Sequence, residues 1–436
     1  MPLTNEDLKW KSKLEKNFNE EMSTLVEEMK KRNNRPRNME YFDKILVEMS
    51  GKRLEEIGAF KEEGGKVFGI FCMFVPEELF YATGAMPLRL FAGFQDAVRT
   101  AETILPRNLC PLVKSTCGCI MLKLGYYGIC DSLVYPTTCD CKKKTGEIIV
   151  DYMPDTRVMT MELPHTANTT QARKLWLTEI ELLKKKIEEI MNVKITKKKL
   201  KDTICLVNSK RRAVRRLCEL RKAERPPISG SDAMYVTVLS FYDDIRRWTE
   251  KAEELCEELE ERIQNNTSTL DIDAPRIMVA GCPIVPPNWK IPNLIEDLGA
   301  VITCDELCTG ARGLWDLVET CEWTMDDMLI ALAERYLTLA CACFTPNNNR
   351  IERILNWVKD YNVDGVVYHA LHACHLYGIE AFHVRKALEK ARIPMLTIET
   401  DYGDDIGQLR TRVEAFLEII RARKFARAEK FRAKKP

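Results

Sequence analysis

A chain of 436 residues with 45% apolar content can bury the cores of about two or three domains, which excludes a fibrous or disordered class. Its 66 basic and 65 acidic residues leave a formal net charge of +1, so no global field argues for a nucleic acid or an anionic membrane as partner. No apolar leader opens the chain and no stretch approaches the roughly 18 apolar residues of a membrane span, so the cytoplasm is the expected location; there, 17 cysteines speak for metal or redox chemistry rather than disulfides.

Residues 1–60 read as a helical lead-in, because Leu14, Phe18, Met22, Leu25 and Met29 recur at three- and four-residue steps before the break at Asn33-Asn34-Arg35-Pro36. Residues 61–165 alternate apolar runs with helical ones: Val67 to Cys72, the helical Pro76 to Gly84, Pro87 to Phe91, Leu133 to Tyr135, and Val158 to Leu163. That alternation predicts a parallel α/β domain. Residues 166–272 form a helical connector, with helices over Ala172 to Met191 and Ala233 to Ile263, and Ser229 or Ser231 as a cap. Residues 273–436 return to α/β, with strands over Ile277 to Ala280, Ala300 to Thr303, Gly365 to Tyr368 and Met395 to Ile398. The fold class is therefore α/β: two Rossmann-like parallel-sheet domains around a cleft. The basic stretch Arg421 to Lys435 reads as a solvated helix end.

Cysteines stand just past apolar strand-like runs in both halves, as in Gly69-Ile-Phe-Cys72 and Ile277-Met-Val-Ala-Gly-Cys282, and Cys139 and Cys374 follow matching Val-Tyr runs. In open parallel sheets such positions line the ligand crevice, so these thiols converge. Thiolates suit iron–sulfur clusters and soft metals. Local context favours Cys110, Cys139, Cys308 and Cys374 as ligands, with Cys72 and Cys282 next. Cys341 and Cys343 share one short stretch, and in an irregular segment one of them faces the site. Cys205, Cys218 and Cys256 fall in helical patterns and read as packing residues, while Cys117, Cys119, Cys130, Cys141, Cys304 and Cys321 remain open.

Four of the five histidines, His369, His372, His375 and His383, crowd around Cys374. With Lys114, the first three are candidate proton donors, His372 and His375 foremost; zinc held by His369, His372 and Cys374 is the competing idea. There is no GxGxxG, no GxxxxGK(S/T), no GxSxG and no HExxH, so electrons for a redox reaction would come from another protein.

Four stretches carry a resemblance: Val75 to Leu90 (VPEELFYATGAMPLRL), Cys110-Pro111 through Thr137-Thr-Cys-Asp140, Asp305-Glu-Leu-Cys-Thr-Gly-Ala-Arg312, and Ile393-Pro-Met-Leu-Thr-Ile-Glu-Thr-Asp-Tyr402. Together they resemble the 2-hydroxyacyl-CoA dehydratase and benzoyl-CoA reductase superfamily. The resemblance implies two Rossmann-like domains, a 4Fe-4S cluster on the positions of Cys110, Cys139 and Cys374, and electrons from a separate homodimeric iron–sulfur activator that hydrolyses ATP. The further thiols, in Phe71-Cys-Met-Phe, Gly281-Cys-Pro-Ile and Ala340-Cys-Ala-Cys contexts, make the chain similar to the double-cubane cluster branch. That branch implies a homodimeric, oxygen-sensitive reductase component with an 8Fe-9S centre on six cysteines. Cys308, Cys72, Cys343 and Cys282 are the candidates for the remaining three places. A single-cubane dehydratase subunit is the alternative within the family, and a zinc-binding or cluster-storing protein the alternative outside it.

Overall fold

The computed structural model describes residues 4–152, 156–268, 273–403 and 406–432. Helix α1 (Asn5–Lys30) starts at Thr4, whose hydroxyl accepts from the Asp7 amide while Asp7 answers in a capping box. Its Leu14, Met22, Leu25 and Met29 are buried, and Phe18 meets Phe94 edge-on at 5.3 Å. Helices α2 (Met39–Glu48) and α3 (Lys52–Glu62) complete the lead-in.

The first sheet follows: β1 (Val67–Ile70), α4 (Glu77–Thr83), β2 (Met86–Arg89), α5 (Gln95–Ala101), α6 (Pro111–Met121), β3 (Ser132–Pro136), α7 (Asp140–Tyr152) and β4 (Arg157–Met161). The strands are parallel in the order β2-β1-β3-β4. β1 and β3 are buried along their whole length, as continuous apolar runs covered on both faces must be.

Four helices form the connector: α8 (Thr170–Met191), α9 (Lys197–Leu220), α10 (Gly230–Leu239) and α11 (Ile245–Gln264). Thr169, Thr196, Ser229 and Asp244 cap them through side-chain oxygens, so of the two serines it is Ser229 that caps. The single helix expected over Ala233 to Ile263 is two helices. Asp244 adopts an extended backbone (φ −63°, ψ 130°) and takes the Arg246 and Arg247 amides, while Asp243 binds Arg247 Nε at 2.9 Å. Two adjacent carboxylates held by local partners outcompete helix continuation.

The second sheet repeats the first. Here β5 (Arg276–Gly281), α12 (Lys290–Asp297), β6 (Val301–Glu306), α13 (Ala311–Leu314), α14 (Met325–Leu337), α15 (Asn348–Asp360), β7 (Gly365–Leu371), α16 (His375–Lys390), β8 (Met395–Thr400) and α17 (Ile406–Arg432) give the parallel order β6-β5-β7-β8. All eight expected strands are present, and the order of the first sheet recurs in the second. The basic stretch lies on α17 as far as Arg432, with 433–435 outside the described residues; there Arg421 donates to the Leu298 carbonyl at 2.7 Å and Lys424 pairs with Asp364 at 3.0 Å, so it is anchored as well as solvated. Among the described residues no helix is long and apolar enough to cross a membrane.

Candidate metal centre

In each sheet the first strand has its neighbours on opposite sides, which makes a switch point where the following loops part and leave a crevice. Cys72 and Cys139 follow β1 and β3 at one switch point, while Cys282 and Cys374 follow β5 and β7 at the other. Cys308 follows β6, and Cys341 and Cys343 lie in the turn between α14 and α15.

Cys110, Cys139 and Cys374 each stand immediately before a helix, α6, α7 and α16. First-turn amides point at their sulfurs: Leu112 and Val113 at Cys110, Lys142 at Cys139, Tyr377 at Cys374. Free amides and the positive helix end favour an anionic sulfur there. Pro111 occupies the first position of α6, where no amide hydrogen is needed.

The thiols fall into two groups. In the first, Cys374 hydrogen-bonds both Cys110 and Cys282, and the Leu371 amide donates to Cys282 Sγ at 3.3 Å. Cys139 and Cys141 lie beside Cys110. The hydrogen bond with Cys374, then burial, pushes the Cys110 thiol well up, and burial takes Cys139 to about 11. In the second group, Cys308 neighbours Cys72 and Cys341, and Cys341 shares a hydrogen bond with Cys343. That bond holds Cys341 well below the usual thiol range and Cys343 well above it. Cys343 also lies near Cys72 and Cys139, which joins the two groups. The turn therefore brings both members of the Cys341/Cys343 pair to the site instead of one.

Backbone strain marks the same loops. Cys72 (φ 65°), Ala340 (φ 50°) and Ala373 (φ 54°) are left-handed non-glycine residues, the last two directly before Cys341 and Cys374. Each costs on the order of 1 kcal/mol and persists where the surroundings dictate the loop's path. Gly281 (φ 116°) precedes Cys282 because any Cβ would lie 2.0 Å from the His369 carbonyl oxygen, the acceptor of the Cys282 amide at 2.8 Å.

Two charged features support the second group. Lys142 lies among Cys72, Cys139, Cys308 and Cys341. Behind Cys341, Tyr377 Oη lies 3.7 Å from the sulfur and accepts from Arg312 at 2.6 Å. Arg312 and Arg350 share the buried carboxylate of Glu306, at 2.7 Å each. The sequence showed neither feature: Lys142 opens a Lys142-Lys143-Lys144 run that looks like a solvated face.

The remaining candidates have other partners or surroundings. His369 is buried and hydrogen-bonded to Thr400 Oγ1 at 2.8 Å; burial lowers its pKa to about 4. His372 is exposed and meets Glu399 at 2.9 Å, and His375 and His383 are exposed on α16. Lys114 is buried on Glu102 at 2.7 Å and the Arg107 carbonyl at 2.8 Å. Cys117, Cys119, Cys130, Cys218, Cys256 and Cys304 are buried, while Cys205 and Cys321 are exposed.

Sulfur donors from both sheets, met by helix-end amides and a lysine, suit an anionic iron–sulfur cluster. Among the described residues no three His, Cys, Asp or Glu side chains stand together at the spacing of a single metal ion.

Comparison with known proteins bears on these thiols. The sequence model of the family described as 2-hydroxyglutaryl-CoA dehydratase, D-component, matches residues 72–420, from the first of the converging cysteines to the last helix. The YjiM protein of Escherichia coli K12, named as a dehydratase subunit, is 35% identical over 83% of this chain and 93% of its own length. The beta subunit of (R)-2-hydroxyglutaryl-CoA dehydratase from Acidaminococcus fermentans is 25% identical over 92% of this chain and 100% of its own. A benzoyl-CoA reductase component from Thauera aromatica is 19% identical over 79% and 87%.

Proposed function

The chain belongs to the 2-hydroxyglutaryl-CoA dehydratase D-component family, and from that premise we propose that this dehydratase- or reductase-type enzyme is the reductase component of an ATP-dependent system built on an 8Fe-9S double-cubane cluster. The observation that carries the reading is the number of converging thiols. A single cubane on Cys110, Cys139 and Cys374 leaves Cys72, Cys282, Cys308, Cys341 and Cys343 at the same crevice without a task. In the proposed set, Cys110, Cys139, Cys282 and Cys374 supply ligands from one side, and Cys72, Cys308 and Cys343 or its partner Cys341 from the other. One of these is surplus to six.

When bound, such a cluster supplies low-potential electrons to a small unsaturated molecule. The protein's part is to bury it, to donate first-turn amides to its sulfurs and to set Lys142 against its charge. His372 and His375, beside Cys374, are the proposed proton carriers. The lead-in 1–60, the domains 61–165 and 273–436 and the connector 166–272 are the proposed units. A homodimer in an anaerobic cytoplasm, fed by a separate ATP-hydrolysing iron–sulfur activator, completes the reading.

The second reading is a single-cubane subunit of a 2-hydroxyacyl-CoA dehydratase, favoured by relatives whose names are dehydratase subunits. The test mixes the anaerobic protein with such an activator, reductant and ATP. Bleaching of the cluster absorbance that needs ATP supports the component reading; bleaching that proceeds equally without ATP contradicts it.

A further inference from the structure

Tyr377 is buried on α16, in the first turn after Cys374. Its amide points at Cys374 in the first thiol group, and its hydroxyl lies 3.7 Å from Cys341 Sγ in the second. One residue therefore reaches both groups, whereas His369 and His372 are turned to Thr400 and Glu399.

The direction of the hydrogen bond to Cys341 follows from the neighbour on the other side of the phenol. Arg312 Nη2 donates to Tyr377 Oη at 2.6 Å, and a guanidinium has donors only. It occupies an oxygen lone pair and leaves the hydroxyl hydrogen free for a second partner. Among the described residues that partner is Cys341 Sγ. Were the cysteine the donor, the phenol hydrogen would be buried without an acceptor, which folded proteins avoid. Burial also pushes the Tyr377 phenol well above its ordinary range, so it keeps the hydrogen that it donates.

The same buried arginine fixes both ends of this contact. Besides the phenol, Arg312 holds the Leu339 and Ala340 carbonyls at 3.2 and 3.3 Å, on the turn that carries Cys341, and it is itself anchored on Glu306 at 2.7 Å. Asn347 donates to the Cys341 carbonyl at 2.9 Å. The Arg350 guanidinium lies 4.9 Å from the centre of the Tyr377 ring and holds it from its face. A donor locked in this way is preorganised for the sulfur in front of it.

We propose that Tyr377 is a positioning residue for the cluster: its hydroxyl donates to the Cys341 sulfur and through it raises the cluster's reduction potential. Hydrogen bonds to cluster sulfurs favour the reduced, more negative state. The proposal rests on the cluster reading and deepens it by naming a residue that regulates the potential from the second thiol group.

The test is a redox titration, followed by EPR, of the anaerobic, cluster-loaded full chain. Tyr377→Phe, which keeps the ring and removes the hydroxyl, is expected to disfavour reduction about tenfold, or about 59 mV more negative for a one-electron couple, at unchanged iron content. 3-Fluorotyrosine in place of Tyr377, a more acidic phenol and a stronger donor, is expected to move the potential the opposite way, which a merely structural tyrosine would not do. An unchanged potential in Tyr377→Phe, or shifts of the same sign in both proteins, would overturn the proposal. If Tyr377→Phe loses its iron, the fluorinated protein decides: a less negative potential upholds the donor and an unchanged one removes it. If the wild-type chain carries no iron, the cluster reading fails on its own, and iodoacetamide labelling of Cys341 in the iron-free chain, mapped by mass spectrometry, reads the hydrogen bond instead. A hydroxyl donor favours the reactive thiolate, so slower labelling in Tyr377→Phe upholds it, and equal or faster labelling removes it.

Discussion

Neutralising Glu306 by Glu306→Gln tests whether the buried charge cluster behind Cys341 is a stabilising support. Glu306 is fully buried and contacts Arg312 Nε and Arg350 Nη2, each at 2.7 Å. At an effective dielectric of about 20, each contact has a gross attraction of about 6 kcal/mol, most of it offset by desolvation. Arg350 retains Glu380 as a second carboxylate. Arg312 is left with the Leu339 and Ala340 carbonyls at 3.2 and 3.3 Å and the Tyr377 hydroxyl at 2.6 Å, none of them charged. An uncompensated buried charge costs about 3–5 kcal/mol. Glu306→Gln is expected to lose that much, measured as a lower urea midpoint at unchanged slope on the iron-free chain. The double variant Glu306→Leu with Arg312→Met is expected to recover most of it, because no orphaned charge remains. A loss below about 1 kcal/mol for Glu306→Gln would refute the reasoning, since it would mean that water or a shifted side chain reaches Arg312.

Cys374→Ala is expected to lose cluster iron while far-ultraviolet circular dichroism stays unchanged; full iron content would remove Cys374 from the ligand set. Lys142→Met takes one positive charge from among four thiols, worth roughly 2 kcal/mol, or about 90 mV more negative for a one-electron couple. Redox titration checks it, and Lys142→Arg should restore the potential. Lys210 meets Glu77 at 2.7 Å in the core between α4 and α9; burial works to raise the Glu77 carboxyl, but Lys210 and Arg89 outweigh it and hold it at about 2, below its ordinary 4.5. A depressed carboxyl lends stability above its unfolded pKa that is lost as pH falls toward the folded one. Lys210→Met should therefore destabilise at neutral pH and flatten the decline between pH 4.5 and 2. Parallel acid-unfolding curves for the two proteins would contradict it.

The strands were legible because buried parallel strands must be continuous apolar runs, and the runs ending at Cys72 and Cys282 stand out against polar flanks. The break between α10 and α11 was not, because Val238, Tyr242 and Ile245 keep a helical spacing across it and the deciding contacts, Asp243 with Arg247 and Tyr41, need the folded chain. The meeting of Cys282 with Cys374 followed from strand ends, whereas Cys110 stands past no strand and was marked by the proline that follows it. The pairing of Cys341 with Cys343 did not, since it depends on the left-handed turn at Ala340. Lys142 was hidden in a basic run, because Cys308 and the turn that sets Cys341 near it come from segments far away in sequence. Sequence pattern thus announces what each element needs for itself and is silent on what two distant elements enclose.

The most direct test of the central claim, that two joined groups of thiols hold one double-sized cluster, is the iron and acid-labile sulfide content per polypeptide of anaerobically purified protein, with the EPR spectrum of the same sample. Two four-iron units predict about eight iron per chain, while about four would contradict the double cubane and return the chain to the single-cubane reading.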